Sequence, residues 1–151
     1  MQAQKARVEH IVRMKELIDR FAEQKRMLSR SLNAMYQNVR DYYVCLDGDK
    51  VVGCVALHVV WENLGEVKSL AVDEAYQGRG LGRVLVEAAL NDARALHLPQ
   101  VFCLTYVPDF FEKMGFRIVD KATLPHSVWA ECVNCVKFPG CDEIAMIRDL
   151  A

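Results

Sequence analysis

Apolar residues near the start of the chain recur first with the alternation of a strand and then with the period of a helix. Residues 5–10 predict a short first strand, and the next apolar positions share one helical face: Ile11, Met14, Ile18 and Phe21. A second short helix is predicted to begin after Ser31, whose hydroxyl can cap the first turn by accepting a backbone hydrogen bond. The chain therefore opens with two amphipathic helices.

The period changes to that of strands after residue 40. Two runs rich in β-branched and aromatic residues, DYYVCLD and KVVGCVALHVV, are joined through Asp47-Gly48-Asp49. Asp-Gly suits the positive φ of a tight turn, so the two runs are predicted to form an antiparallel hairpin. Residues 65–72 predict a third strand, which leads into a glycine-rich loop.

Helices and strands alternate after this loop. One helical face is predicted from six apolar residues: Leu81, Val84, Leu85, Ala88, Ala95 and Leu96. VFCLTY then predicts a short strand, Pro108 opens a helix that Gly115 closes with a left-handed cap, and residues 143–149 predict a final strand. We expect one domain spanning residues 1–151, with residues 121–141 as a long ordered loop.

The charge balance disfavours several classes of function. Lysine and arginine number 19 and aspartate and glutamate 20, so no basic field indicates a nucleic-acid partner. No apolar run approaches the roughly 20 residues of a membrane span, and the polar N-terminus MQAQKARVEHIVRMKEL lacks the apolar core of a signal peptide. We therefore predict a cytoplasmic protein with no membrane partner, in which the six cysteines are reduced thiols or metal ligands.

The loop after the third strand has glycines at positions 78, 80 and 82. This GxGxG spacing matches neither the phosphate loop GxxxxGK[ST] nor the dinucleotide fingerprint GxGxxG. Glycines nevertheless leave backbone N–H groups uncovered, and a helix that begins here adds a positive dipole end. Arg79 and Arg83 would add charge at the rim, so the loop is predicted to hold an anion. The alternative is a tight turn whose glycines serve packing alone.

The same loop resembles a known motif. Gln77-Gly78-Arg79-Gly80-Leu81-Gly82 is similar to the (Q/R)xxGx(G/A) motif of the GNAT superfamily of acyl-CoA-dependent N-acetyltransferases, and the strand VKSLAV precedes it as in that family. The resemblance implies an α/β (α+β) GNAT fold, with a mixed central sheet of six to seven strands and about four helices. It also implies that the loop amides bind the pyrophosphate of acetyl-CoA and that the backbone of Leu70, Ala71 and Val72 hydrogen-bonds the pantetheine arm.

Three further stretches resemble the acetyltransferase domain of N-acetylglutamate synthases. MLSRSLNAM is similar to the VRRS segment of those enzymes, LGEVKSLAV to GE(L/M)AC(L/V)AV, and FCLTYVPDFFEKMGF to FVLTTRSxxWFxxxGF. The combination implies a short, kinase-less form that acetylates glutamate for arginine biosynthesis, and a possible homodimer through the C-terminal strands. Where the longer synthases carry a basic stretch near the C-terminus, this chain has FPGCDE, which leaves Lys137 or Arg148 as substitutes for one carboxylate partner.

An acidic amino acid would need cations that hold its carboxylates. Arg30 occupies the position of the arginine that binds a glutamate carboxylate in the resembled family, and a guanidinium can bind a carboxylate through two hydrogen bonds. Lys68 interrupts an otherwise apolar strand and is the second candidate. The alternatives are an exposed linker arginine and the solvent face of a half-exposed strand.

Acetyl transfer also needs a base for the ammonium and an acid for the leaving thiolate. Many GNAT enzymes place a glutamate where Glu66 stands, so Glu66 is the candidate base, with His58 as the alternative. Tyr106 is the candidate acid, with Thr105 or water as alternatives. No residue stands in a recognised nucleophile setting beside the loop, so direct transfer is favoured over an acyl-enzyme.

Cys132, Cys135 and Cys141 form a CxxC-x5-C cluster. The first pair has metal-ligand spacing, and a zinc site would need a fourth ligand such as His126 or Cys103. A reversible disulfide and plain reduced thiols are the alternatives. The rival functions are an acetyltransferase that acts on glutamine, a polyamine or a protein terminus, and a non-catalytic module that senses acetyl-CoA or redox state.

Overall fold

The computed structural model describes residues 1–24, 30–124 and 143–150. The helices are α1 (Ile11–Glu23), α2 (Leu32–Gln37), α3 (Leu81–Ala95) and α4 (Pro108–Lys113). The strands are β1 (Ala3–Lys5), β2 (Tyr42–Asp47), β3 (Lys50–Trp61), β4 (Leu64–Val72), β5 (Gln100–Thr105), β6 (Arg117–Ile118) and β7 (Ile144–Asp149). Among these helices, none combines the length and the apolar character that crossing a bilayer requires.

The seven strands form one mixed sheet in the order β1-β2-β3-β4-β5-β7-β6. The pair β4–β5 is parallel, and the other neighbouring strands are antiparallel. The predicted hairpin is confirmed, since β2 pairs with β3 and Gly48 has a φ of 60° at the turn. Strand β6 was not predicted from the sequence.

Helices cover both faces of the sheet. One face packs against α3, and the buried residues of that helix are Leu81, Leu85, Val86, Ala89, Leu90 and Ala93. The other face packs against α1 and α2 through a second core whose helical members are Ile11, Met14, Leu17, Ile18, Phe21 and Met35. The face of α1 was therefore predicted correctly.

Two sequence predictions near helix ends were wrong. The first strand covers Ala3–Lys5, not residues 5–10, because Val8–His10 turns into a 3₁₀ helix whose start is held by His10 Nδ1 accepting from Arg7 N at 3.0 Å. On α3, the predicted Leu81 and Leu85 are buried, whereas the predicted Leu96 follows the end of that helix with 54% of its surface exposed. The buried face continues through Val86, Ala89, Leu90 and Ala93, which were not predicted.

Strands β4 and β5 separate soon after they meet. In the described part of the chain, their pairing is confined to Leu64–Glu66 against Gln100–Phe102, although β4 continues to Val72. On its other side, β4 pairs with β3 and carries a bulge. Cys54 pairs with Ala71 and Ala56 pairs with Lys68, so the chain advances three residues on β4 while it advances two on β3. The sheet therefore opens between the carboxyl halves of β4 and β5.

The bulge is held by an unusual backbone conformation and a buried thiol. Ser69 has a φ of 57°, a left-handed value that a non-glycine residue adopts at a cost of about 1 kcal/mol or more. The Cys54 thiol donates to the Ser69 carbonyl at 3.4 Å. Burial raises the pKa of Cys54 to about 12, so the thiol keeps the proton that this contact uses.

Candidate active site

The glycine-rich loop lies at the end of the opened strand β4. A 3₁₀ turn, Glu74–Tyr76, follows β4, and Gly80 forms the N-cap of α3 with a φ of 81°. Gly78 has a φ of 79°, and nothing lies within 4 Å of a Cβ placed on either glycine. These two glycines are therefore required by backbone conformation and not by crowding.

The loop presents the start of α3 toward the opening between β4 and β5. The first α-helical hydrogen bond runs from Val84 N to Gly80 O at 3.1 Å, so the preceding N–H groups are those that a helix start leaves for a ligand. Gln77 Nε2 donates to Val72 O at 3.0 Å and ties the loop to the end of β4. The positions of Gln77, Gly78 and Gly80 thus suit the predicted anion site.

Cations and an aromatic ring surround this loop. The Arg79 guanidinium lies 5.0 Å and the Lys50 ammonium 5.5 Å from the centre of the Tyr76 ring. The Tyr76 hydroxyl donates to Asp47 at 2.5 Å, which fixes the ring between the hairpin and the loop. Lys50, which sequence reasoning missed, also lies 3.8 Å from the Asp73 carboxylate, and the positive rim of Arg79 and Arg83 stays a prediction.

The predicted pantetheine strand lies along the opening. Ala71 and Val72 pair with Cys54 and Gly53 of β3, while their pairing with β5 is absent from the described residues. The backbone of a strand that has one neighbour still presents N–H and C=O groups on its other edge. The role of Leu70, Ala71 and Val72 in holding an extended ligand stays a prediction that this geometry permits.

A cavity of about 180 Å³ lies beside the bulge, on the face of the sheet that carries α1 and α2. It is lined by Arg30, Ala34, Asn38, Asp41, Tyr42, Ala56, His58 and Lys68. The two predicted carboxylate-binding cations, Arg30 and Lys68, are thus brought together although they are far apart in the sequence. Both predicted substrate-binding residues therefore line the same cavity.

The strand register explains why these side chains meet. Tyr42 pairs with Ala56, and Ala56 pairs with Lys68, so the three residues form one row across β2, β3 and β4. His58 pairs with Glu66 in the next row. Directly paired residues lie on the same face of a sheet, so both rows face the cavity side.

The phenol of Tyr42 is a neutral donor in this wall. Burial raises the pKa of Tyr42, the nearby Cys54 thiol adds to the rise, and the Arg30 guanidinium opposes it. The side chain is 3% exposed. A protonated phenol can donate a hydrogen bond to an acceptor oxygen, and sequence reasoning missed Tyr42 because its position in a strand run indicates packing alone.

The predicted base and acid lie at two ends of the opening. Glu66 is 7% exposed and pairs with Phe102 at the last parallel step, so it marks the point where β4 and β5 begin to separate. Tyr106 directly follows the carboxyl end of β5. Neither residue lines the cavity described above. Thr105, the alternative acid, accepts a hydrogen bond from Val107 N at 2.9 Å.

One strong contact in the cavity was missed. His58 Nδ1 and Asp41 Oδ2 are 2.6 Å apart. His58 was considered as an alternative base, but Asp41, in the 3₁₀ turn Val39–Asp41 before β2, was not considered. No local signal marked this contact, because Asp41 lies in a turn before β2 and is outside the strand pairing that contains His58.

Other predicted residues have different outcomes. Arg148 does not line the cavity, since its guanidinium donates to Met114 O at 2.6 Å. Cys103 is 1% exposed within the core, and burial raises the pKa of its thiol, with the Glu66 carboxylate adding to the rise.

The zinc candidates Cys132, Cys135 and Cys141, together with His126 and Lys137, lie outside the described residues. Within the described ranges, no group of three or more His, Cys, Asp or Glu side chains could hold a metal ion.

Comparison with known proteins bears on this geometry. A family model described as the acetyltransferase (GNAT) family matches residues 10–116. The chain is 38% identical over 130 residues to an amino-acid acetyltransferase of Mycobacterium tuberculosis, covering 84% of this chain and 74% of that protein. A crystal structure of a Mycobacterium tuberculosis protein in complex with CoA and NLQ matches with a TM-score of 0.87 and 30% identity, over the full length of both chains.

A more distant structure shares the fold. N-acetylglutamate synthase from Neisseria gonorrhoeae, complexed with coenzyme A and N-acetyl-glutamate, matches with a TM-score of 0.91 and 22% identity, covering 99% of this chain and 35% of that one. The mixed sheet, the opened strands and the glycine loop define an acyl-CoA-dependent N-acyltransferase. The chain belongs to the acetyltransferase (GNAT) family. The resemblances and the fold predicted from the sequence are thereby confirmed, and these similarities support acetyl-CoA-dependent N-acetylation of an amino acid.

Proposed function

We propose that this enzyme transfers the acetyl group of acetyl-CoA directly to the α-amino group of L-glutamate. The observation that carries the proposal is the joint presence of Arg30 and Lys68 in one cavity beside the opened strands. Glutamate carries two carboxylates, and each cation can hold one of them through charge-assisted hydrogen bonds. Drug-sized ligands ordinarily need roughly 300–1,000 Å³, so a cavity of about 180 Å³ suits a smaller acceptor such as an amino acid.

In this proposal, acetyl-CoA lies along β4 with its pyrophosphate at the loop 77–82. The dipole of α3 and the uncovered N–H groups favour a diphosphate there, and Arg79 adds a full charge. The thioester would then lie where β4 and β5 separate, between Glu66 and Tyr106. Tyr106 has the proposed role of general acid, and Glu66 is the general base that the family resemblance implies.

Direct transfer is supported by the state of the described cysteines. Cys45, Cys54 and Cys103 are all buried, and burial raises the pKa of each thiol. The thiolate is the nucleophilic form of cysteine, so a buried thiol with a raised pKa is a poor acyl acceptor. Direct attack by the substrate amine is therefore favoured over an acyl-cysteine intermediate, because it needs no nucleophile from the protein.

Release of the CoA thiol from acetyl-CoA in a panel of acceptors tests the proposal. Glutamate should give the highest kcat/KM, above glutamine and aspartate, and polyamines should give no release above background. Release with a polyamine but not with glutamate would overturn the proposed acceptor. CoA binding without release in any acceptor would favour the sensing module. If glutamate is the acceptor, its acetylated product would serve arginine biosynthesis, as the resemblance to the synthases implies.

A further inference from the structure

The cavity contains a hydrogen-bonded pair that carboxylate binding does not use. The Asp41 carboxylate, from the turn before β2, lies 2.6 Å from Nδ1 of His58 on β3. Both side chains are partly buried, with 26% and 35% of their surfaces exposed. Both also line the cavity that contains Arg30 and Lys68. The pair therefore faces the space proposed for the acceptor.

The contact fixes which imidazole nitrogen can accept a proton. A carboxylate only accepts hydrogen bonds, so Nδ1 of neutral His58 must carry the hydrogen that is directed at Asp41. Nε2 then holds the lone pair. A carboxylate on the far nitrogen also compensates the positive charge that forms when Nε2 takes a proton.

The charged and titratable neighbours of His58 include groups of both signs. The Asp41 carboxylate contacts the His58 imidazole directly, and the cations Arg30 and Lys68 line the same cavity. The Tyr42 phenol lines the same wall, and Glu66 pairs with His58 across the strands. Arg30 and Lys68 would hold the carboxylates of the acceptor. The negative charge of those carboxylates would offset the positive charge of the two cations.

We propose that His58 takes the proton from the acceptor ammonium, with Asp41 as the residue that positions and compensates it. This inference rests on the proposed acetyl transfer and replaces Glu66 as the primary base. An imidazole has an ordinary pKa of about 6.5 and a glutamate carboxyl about 4.3, against roughly 7.7–8.0 for an α-ammonium. Proton transfer to an imidazole is therefore less uphill. Glu66 pairs with His58 on the same face of the sheet but, unlike His58, is not among the residues that line the cavity.

The step balances with the groups already named. The ammonium nitrogen gives its proton to Nε2, and its freed lone pair forms the new C–N bond at the thioester carbonyl carbon. The C–S bond breaks, and sulfur leaves as the thiolate of CoA, which takes a proton from Tyr106 or from solvent. The nitrogen still carries one surplus proton after the attack, and it releases this proton to the Tyr106 phenolate or to solvent, which leaves the neutral amide and restores Tyr106. Imidazolium then returns its proton to solvent.

The test compares His58→Asn with His97→Asn in the full chain. The amide nitrogen of asparagine reaches about the position of Nδ1 and can still donate to Asp41, but it offers no titrating nitrogen at Nε2. His97 is an exposed residue with a φ of 62°, a conformation that asparagine tolerates, so H97N is a matched control. We expect H58N to lower kcat about 100- to 10,000-fold and H97N to leave it unchanged.

The KM values and the pH profile separate catalysis from structure. H58N should leave both KM values within about threefold and should remove an inflection from the acid side of the kcat profile. Asp41→Asn provides a second variant in case H58N folds poorly. D41N should lower kcat and leave both KM values within about threefold, because its neutral amide cannot stabilise the positive charge that forms on the imidazole during the reaction.

Three outcomes would overturn the inference. H58N that retains kcat within about threefold, with Glu66→Gln inactive, would assign the base to Glu66. D41N that keeps kcat within about threefold would remove Asp41 from the mechanism. No acetyl transfer by the unmodified chain to any amino acid would overturn the proposed function and the role of His58 with it, which distinguishes that failure from the first two.

Discussion

Two single side chains carry the proposal for the acceptor. Arg30 precedes α2, and Lys68 lies on β4, yet both line one cavity, to which α2 contributes Ala34. The sequence resemblance predicted Arg30, and an isolated lysine in an apolar strand predicted Lys68. Their meeting depends on packing between distant segments, which no local pattern encodes.

Arg30→Ala should raise the KM for glutamate about 10- to 100-fold, because a hydrogen bond to a charged group contributes roughly 1.5–3 kcal/mol. The KM for acetyl-CoA should stay within about twofold. Steady-state kinetics with each substrate varied in turn provides the measurement. Arg13→Ala is the matched control, since Arg13 is exposed on α1 in a long ion pair of 3.9 Å with Glu16. Equal increases in both KM values would contradict the carboxylate role of Arg30.

Among the secondary-structure elements, β4 and the loop after it form the proposed acetyl-CoA site. The bulge at Ser69 and the early end of the β4–β5 pairing leave a strand edge available, and the αL glycines turn the chain into α3. The loop motif was readable from the sequence because glycine spacing is local. The bulge could not be predicted from the sequence, since serine is not a residue type that indicates a positive φ.

Gly80→Ala and Gly48→Ala should separate ligand binding from backbone strain. Both glycines have a positive φ, 81° and 60°, and neither has a neighbour within 4 Å of a placed Cβ. Each variant should therefore lose about 1–2 kcal/mol of unfolding free energy in a urea titration. Only G80A should also weaken CoA binding, by tenfold or more in calorimetry, because its N–H groups change direction. G80A that binds CoA as tightly as G48A would remove the loop from the site.

Across the chain, the sequence predicted most elements and the active-site motif, and its failures have physical causes. The hairpin, Ser31 as a cap and the helix between Pro108 and Gly115 depend on local turn and cap chemistry, and each is present. Strand β6 has two residues, too few for a detectable period. The contact between Asp41 and His58 joins a turn to a strand, and no local signal marks it. The single domain, the cytoplasmic location and the homodimer stay predictions, and the mass of the particle in solution would check the last.

The buried thiols predict how the stability of the whole domain depends on pH. The pKa of Cys54 is raised from 9.0 to about 12, and burial also raises the pKa values of Cys103 and Tyr42. The folded state therefore holds these protons more tightly than the unfolded state. Their contribution is present below pH 9 and is lost as the pH rises from 9 toward 12.

Urea unfolding at about pH 8 and about pH 10.5 should show a lower free energy of unfolding at the higher pH. The decrease is up to about 1.4 kcal/mol per pH unit for each fully buried group. Cys54→Ala should lower stability at both pH values but should lose less between them than the unmodified chain. A variant with an unchanged pH dependence would show that Cys54 titrates equally in both states.

Identification of the product formed from a mixture of amino acids tests the proposed reaction most directly. The purified chain would be incubated with acetyl-CoA and all twenty amino acids at equal concentration, and the acetylated products would be analysed by mass spectrometry. We predict that N-acetylglutamate dominates and that its amount equals the CoA thiol released. CoA release without an acetylated amino acid, or a dominant product without a second carboxylate, would contradict the role given to the Arg30 and Lys68 cavity.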